Sequence, residues 1–532
     1  MQKSRAAGRA EAGSLPQVGR SSPAWQPAGI IPALRWLDLK LPIPFSGAHH
    51  KGAQRVRWRS RRDGRLSPPQ LLAASFAGLV LAGTCGLRWL PGLYTGERLN
   101  WVDSLFTATS AACITGLAVV PTDSHFTPFG QAFILLLIQL GGLGMLGLAS
   151  FVIVTLNRRL SLRQDALAGA GEMGGAARHV PVRHLLRDVL IFTLACEGLG
   201  FLLLWGSWTL WPPRPDIGVG ATAWHALFHS VNAFCNAGFT TFNDSLLSFD
   251  NRPGTQLIIM GGIFLGGLGF LTLEELKLWL QARRCGRAFR MSLHTRLVLV
   301  TTFALLLIGW AVVALLEWTN DETLGPMRLH DKLFNALFSA VTPRSGGYNT
   351  IDFGQTLPAT QFFTILLMAI GGAPGSTAGG IKVTTVGILA AMAWARLRAR
   401  TSTDLWDRTL PETTANRAVG LFTFAFIVLT FGIGALTITE LGTSFTPRPD
   451  FGLVVAEPFD FLDYMFEATS AFATVGLSTG VTPVLTTEGR LLMVLLMFVG
   501  RIGPLTFAAA LSRDDPNQRL IQRFANEDVV VG

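Results

Sequence analysis

Gly116, Gly238, Gly347 and Gly476 each close a short, half-polar segment that recurs four times along the chain. The segments begin at Leu105, Leu227, Ala336 and Met465. In three of them a phenylalanine (Phe106, Phe228, Phe466) stands ten residues before the glycine, and in the third Leu337 takes that place. The residues that end the segments are neutral: Ile114-Thr115-Gly116, Asn236-Ala237-Gly238, Ser345-Gly346-Gly347 and Thr474-Val475-Gly476. A glycine turn reaches unusual dihedrals cheaply. It leaves carbonyl oxygens free to replace water around an ion. A helix ending at such a turn points its partly negative end at the same place, which favours a cation. A ring of Asp or Glu would suit a divalent ion. Neutral carbonyls suit a weakly hydrated monovalent ion such as potassium.

These turns need elements to hold them. The chain is 49% hydrophobic and 15% charged, against roughly 25% charged residues in soluble domains, so it reads as a membrane protein. Apolar stretches near 70–92, 128–155, 185–211, 255–280, 293–318, 360–397, 416–441 and 488–512 match the ~20 helical residues a bilayer requires. The segments near 101–113, 222–235, 331–342 and 460–473 are too short to cross. Re-entrant helices fit them, because protein or a watery cavity can cover their ends. The fold expected is all-α: four helix–pore helix–helix units, eight spans and four re-entrant helices around one pore. The units fall at 69–156, 184–281, 293–397 and 416–512.

Arginines set the orientation. Arg158, Arg159 and Arg163, then Arg283, Arg284, Arg287 and Arg290, then Arg396, Arg398, Arg400 and Arg408 follow alternate spans. The other side has isolated charges such as Arg98, Arg214 and Arg448. Both termini are therefore expected in the cytoplasm. The same asymmetry explains the net charge of +10 without nucleic acid. Residues 1–68 are basic and lack the order of a signal peptide. They read as a disordered cytoplasmic tail on anionic lipid, and 513–532 as a second tail. Cys85, Cys113, Cys196, Cys235 and Cys285 show no metal-ligand spacing and read as free thiols.

A second glycine pattern follows each first one: Gly141-Gly142-Leu143-Gly144, Gly266-Gly267-Leu268-Gly269, Gly371-Gly372-Ala373-Pro374 and Gly500-Arg501-Ile502-Gly503. In the sixth span it extends through Gly375, Ser376, Thr377, Gly379 and Gly380 to Lys382. Five glycines and a proline break a helix. The result is either a packed kink or a loop below the turns, with Lys382 reaching the cytosolic side. Arg501 lies within the apolar stretch of the last span, where a charge costs at least a few kcal/mol without a partner or cavity. Glu197 is a second charge in a span and takes no assigned role. Asp103 and Glu467 read either as cation-attracting groups at the mouth or as solvated helix-end charges.

With these motifs in place the sequence resembles the Trk/Ktr/HKT potassium transporter superfamily over roughly Gln70–Ala510. Its eight-span count is most similar to the Ktr membrane subunit. The stretches Thr342-Pro343-Arg344-Ser345-Gly346-Gly347-Tyr348-Asn349 and Gly371–Lys382 carry the resemblance most specifically. Where the family usually has Thr-Ala-Gly-Phe, this chain has Ser345-Gly346-Gly347-Tyr348. The resemblance implies potassium uptake across a bacterial cytoplasmic membrane through a filter with one glycine per repeat. It implies the twelve residues above as ion ligands, and Gly371, Gly372, Gly375, Ser376, Thr377, Gly379, Gly380, Lys382 and Arg501 as the gate. It also implies a homodimer, a cytosolic nucleotide-binding (RCK-type) regulatory subunit, no covalent cofactor, and sodium activation as the property of many relatives.

Rival readings are a secondary cation transporter of another family and a non-conducting scaffold or sensor. Inverted repeats are not seen, and a scaffold would not need four filter glycines. His125, His225, His229 and His294 are dispersed, which disfavours an enzyme. Gly142-Leu143-Gly144-Met145-Leu146-Gly147 imitates a dinucleotide motif but follows no strand, and Gly375 to Gly380 has phosphate-loop spacing with Ile381 before the lysine.

Overall fold

The structure, a computed structural model, describes residues 68–144, 182–212, 218–286, 288–400, 402–406, 408–440 and 459–503. The expectations for 1–67, for the ends of two spans at 145–155 and 504–512, for the arginines at 158, 159, 163, 214, 287 and 448, and for the tail 513–532 lie outside these residues.

The described chain is almost entirely helical. The longer helices are α1 (Pro68–Trp89), α2 (Trp101–Ala112), α3 (Pro128–Gly142), α4 (Val182–Leu210), α5 (Val219–Cys235), α6 (Pro253–Gly267), α7 (Phe270–Arg284), α8 (Leu293–Glu317), α9 (Leu329–Val341), α10 (Pro358–Ala369), α11 (Val383–Leu397), α12 (Glu412–Glu440), α13 (Phe461–Ala473) and α14 (Thr487–Ile502). A small antiparallel hairpin, β1 (Asp404–Leu405) and β2 (Arg408–Thr409), joins α11 to α12. Side chains set several helix starts by accepting an otherwise unpaired N–H: Asn100 from Asp103, Thr127 from Gly130 and Thr486 from Gly489. Asp460 and Asp463 form a reciprocal cap on α13.

Segments of α1, α4, α8 and α12 are long and apolar enough to cross a membrane, and the bent pair α6–α7 makes a fifth candidate. Within each unit the short helix packs on the helix before it, as in α1–α2, α4–α5, α8–α9 and α12–α13. The helix after it packs on the short helix of the next unit: α3 on α5, α6 on α9 and α10 on α13. The last contact, α14 on α2, closes the circle.

One expected span is corrected. Residues 255–280 do not form a single helix; α6 and α7 meet at 103°. Gly269 stands between them with φ +78. A Cβ there would meet Pro374 O at 2.7 Å. The freed backbone groups are satisfied by the glycine-rich loop: Ala373 N–H donates to Gly267 O at 2.9 Å, and Phe270 N–H to Gly375 O at 3.3 Å. Beyond the bend α7 carries Glu274, Glu275, Lys277, Arg283 and Arg284, a composition unsuited to hydrocarbon. The expected interruption of the sixth stretch is present, with α10 ending at Ala369 and α11 starting at Val383. All five cysteines are free thiols.

Candidate functional site

The four glycine turns meet. A Cβ on Gly347 would lie 2.6 Å from both Gly238 Cα and Val475 O. On Gly238 it would lie 2.9 Å from Gly347 Cα and 3.4 Å from Gly116 Cα. On Gly476 it would meet Thr115 O and Gly116 Cα, the latter at 3.1 Å. These approaches run Gly116, Gly238, Gly347, Gly476 and back to Gly116. Every clashing atom is backbone, so no side-chain rotation can relieve a substitution.

The turns share one geometry. Each glycine has φ between 71 and 90, and the residue two before it is also left-handed: Ile114 (φ 57), Asn236 (φ 59), Ser345 (φ 70) and Thr474 (φ 50). For the β-branched Ile114 and Thr474 this is a strained region. Helix-ending hydrogen bonds impose it. In the first turn Ile114 N–H donates to Ala111 O and Thr115 N–H to Ser110 O. Asn236 and Ala237 repeat this pair of bonds, as do Thr474 and Val475. This is the two-bond closure that often ends helices, here on non-glycine residues. With the N–H groups turned back, the carbonyls of all twelve turn residues accept no hydrogen bond among the described residues. The Ser110 and Ser470 hydroxyls each take the N–H of their own glycine at 3.1 Å. These twelve neutral acceptors lie at the C-terminal ends of four helices, whose partly negative ends favour positive charge.

The third turn differs in register. Phe338, fully buried like Phe106, Phe228 and Phe466, occupies the aromatic position that the spacing gave to Leu337. Phe338 lies nine residues before Gly347, so this turn is one residue shorter. Thr342 Oγ1 accordingly donates to Tyr348 O over six residues, where Ser110 Oγ reaches Leu117 O over seven.

Below the turns, Gly141, Gly266 and Gly500 each press against a carbonyl at the end of a short helix: Ala112, Phe234 and Phe472 respectively. The glycine-rich loop lies among them. Thr377 N–H donates to Gly266 O at 3.3 Å. Its hydroxyl reaches Phe234 O at 3.5 Å. Gly379 packs on the Thr474 hydroxyl. Arg501 is 2% exposed. It donates to Thr377 O and, at 3.0 Å, to Gly141 O. One guanidinium therefore ties the last unit to the loop and to the first unit. Lys382 Nζ donates to Ala378 O at 2.8 Å, so it also braces the loop. The remaining loop residues follow the chain between these bonds: Gly371 N–H donates to Ile381 O, and Ser376 Oγ accepts from Ala378 N–H.

Asp103 is not solvated. It is buried and ion-paired with Arg490 at 2.5 Å, joining α2 to α14. Glu467 is fully buried and accepts from Ser478 Oγ, Thr479 N–H and Thr482 Oγ1. Both are braces for the segments around the turns. Glu197 accepts from Gln139 Nε2 at 3.1 Å. Three further residues escaped the sequence reading. Arg344, just before the third turn, donates to Thr302 O and Gly371 O at 3.3 Å each. Glu317 and Glu440, at the ends of α8 and α12, accept from the starts of α10 and α14. Glu317 and Glu440 signalled themselves only as charges at the rim of an apolar stretch, and Arg344 only as a member of the third-turn motif.

Short helices packed in a circle with their glycine turns in contact, held among apolar helices long enough to cross a membrane, define a multi-pass membrane protein. The sequence profile of the family described as cation transport protein (TrkH) matches residues 79–522, and the chain belongs to that family. It is 37% identical over 472 residues to Ktr system potassium uptake protein B of Bacillus subtilis, covering 88% of this chain and 97% of that one. It is 34% identical over 484 residues to the protein of the same name from Vibrio alginolyticus, covering 91% and 99%. The potassium/sodium uptake protein NtpJ of Enterococcus hirae is 34% identical over 474 residues, covering 88% and 98%. The crystal structure of the potassium transporter TrkH from Vibrio parahaemolyticus has the same fold, with TM-score 0.63, 17% identity and coverage of 85% and 86%. The resemblance read from the repeat motifs is borne out.

Proposed function

We propose that this chain conducts potassium into a bacterial cell through a pore on the axis of the four glycine turns. The observation that carries the reading is the ring of twelve neutral carbonyls without hydrogen-bond partners, formed by Ile114–Gly116, Asn236–Gly238, Ser345–Gly347 and Thr474–Gly476. Carbonyls of this kind replace the hydration shell of a monovalent cation. The names of the Ktr relatives support potassium as the ion. The circular packing supports four repeats at 69–156, 184–281, 293–397 and 416–512, the second with its later crossing cut short by the bend at Gly269, and four short helices that enter and leave on one side.

The glycine-rich loop 371–382 is the gate in this reading, and Arg501 is its latch. Opening requires the Arg501–Thr377 and Thr377–Gly266 bonds to exchange partners. The Ktr resemblance supports a homodimer in the cytoplasmic membrane, both termini inside, driven by a cytosolic nucleotide-binding subunit, with no catalytic role. Sodium activation is part of the proposal, and a relative named for potassium and sodium uptake favours it.

The test is growth at limiting potassium of a bacterium without its own uptake systems, expressing this chain with a cognate regulatory subunit. Rescue by wild type, loss with Gly476→Asp, and uptake of potassium and rubidium above sodium are expected. Failure to rescue, together with wild-type flux in Gly476→Asp, overturns the pore.

A further inference from the structure

The connection from α11 to α12 holds a cavity that the ion path does not use. It has a volume of about 330 Å³ and is lined by Trp394, Arg398, Arg400, Asp404, Leu405 and Trp406. The Arg398 guanidinium lies 4.5 Å from the centre of the Trp394 ring. Asp404 spends its carboxylate oxygens on Ser402 Oγ at 2.9 Å and Thr409 Oγ1 at 2.7 Å. The side chains of Arg398 and Arg400 make no hydrogen bond among the described residues, and Arg400 acts on the Asp404 carboxylate only through its charge, at longer range than a salt bridge. Around them, apolar surface is bare: Leu397 is 81% exposed, Trp394 57% and Trp406 41%.

Depth gives this surface its meaning. α11 starts directly below the glycine-rich loop and has 15 residues, so it descends about 22 Å. Half of the ~30 Å hydrocarbon layer is shorter than that. With the loop at mid-bilayer, as the pore proposed above places it, the last turn emerges where indoles favour the lipid–water boundary and where basic pockets meet anionic headgroups.

We propose that this cavity holds the headgroup of an anionic phospholipid of the cytosolic leaflet. Arg398 and Arg400 contact the phosphate oxygens through charge-assisted hydrogen bonds. Trp394 and Trp406 flank the glycerol region, and Leu397 meets the acyl chains. A free phosphate would satisfy the arginines and leave this apolar surface in water, so a lipid is the occupant. The inference rests on the cytosolic orientation proposed above.

The experiment titrates the purified full-length chain in detergent with phosphatidylglycerol or phosphatidylcholine, counting bound lipids by native mass spectrometry and following thermal unfolding. Phosphatidylglycerol is expected to bind in preference. The double variant Arg398→Gln/Arg400→Gln weakens it by about thirtyfold, the factor two arginines contribute at an anionic surface. Arg398→Lys/Arg400→Lys keeps most of the binding, which excludes a misfolded loop as the cause. Equal binding of phosphatidylcholine, unchanged binding in the Gln variant, or displacement by inorganic phosphate or an acidic peptide overturns the proposal. Labelling of Ser402→Cys in a Cys285→Ser background by an impermeant thiol reagent on intact cells tests orientation separately. Lipid binding is read without ion flux, so failure of the pore reading stays distinguishable.

Discussion

Replacing Gly347 by alanine tests the ring most directly. Its φ is +72, a region that costs an L-residue about 1–2 kcal/mol. The added Cβ would sit 2.6 Å from Gly238 Cα and from Val475 O. Carbon contacts are comfortable only from ~3.5 Å, so two neighbouring backbones must yield by roughly 1 Å. Overpacking of this kind costs about 1–3 kcal/mol. Together the two effects come to about 3 kcal/mol, so the conducting geometry is populated about a hundredfold less. Gly92 provides the control: its φ is +78, yet nothing lies within 4 Å of a Cβ there. Gly92→Ala carries the conformational cost without the crowding. Both variants are compared with wild type for rubidium uptake into proteoliposomes at equal protein, and for thermal unfolding in detergent. Gly347→Ala is expected to lose about 99% of uptake while Gly92→Ala keeps most of it. Wild-type uptake in Gly347→Ala would refute the ring. Equal loss in both variants would attribute the defect to backbone strain alone.

Other substitutions probe the braces. Arg501→Gln removes two charge-assisted bonds, each about 1.5–3 kcal/mol; uptake without the regulatory subunit should rise, and an unchanged unstimulated rate would leave Arg501 a packing residue. Deleting residues 373–380 should raise leak to potassium in vesicles; unaltered leak removes the loop as a gate. Asp103→Asn leaves Arg490 buried without its carboxylate, which costs about 3–5 kcal/mol. Its unfolding temperature should fall, and Asp103→Asn/Arg490→Gln should recover part of the loss; a further fall would refute the pairing.

Local features of this protein were legible in the sequence because they repeat. The short helices, the turn glycines and the break at Gly371 follow from periodicity, helix breaking and segment length. Register was less accessible. Ser345-Gly346-Gly347 offers two adjacent glycines, so spacing alone could not tell that the third turn is one residue shorter and that Phe338 is the buried aromatic. The bend at Gly269 was concealed for a related reason. The motif Gly266-Gly267-Leu268-Gly269 recurs at Gly141–Gly144, and its spacing does not say at which glycine the chain turns; Gly269 does so with φ +78 against the loop at residues 373–375. Long-range charge pairing had no local trace. Asp103 and Arg490 lie 387 residues apart, and each alone looks like a surface charge. The partners of Arg344 and Arg501 are backbone carbonyls, which any residue supplies, so composition could flag their cost without naming what offsets it.

The contact of α14 on α2 brings the first and last units of one polypeptide side by side. A channel assembled from four identical chains would have to repeat every innovation in each quadrant. Four long loops beneath so narrow a ring would collide, and four copies of Arg501 would repel one another and any ion on the axis. Fusing the quadrants into a single gene product removes that constraint. Each quarter can change separately, so in the pore proposed above one loop and one arginine can belong to single quarters of an almost symmetric ring. Asymmetry of this kind is open to mutation one quarter at a time, whereas in a symmetric tetramer it would require unequal subunits.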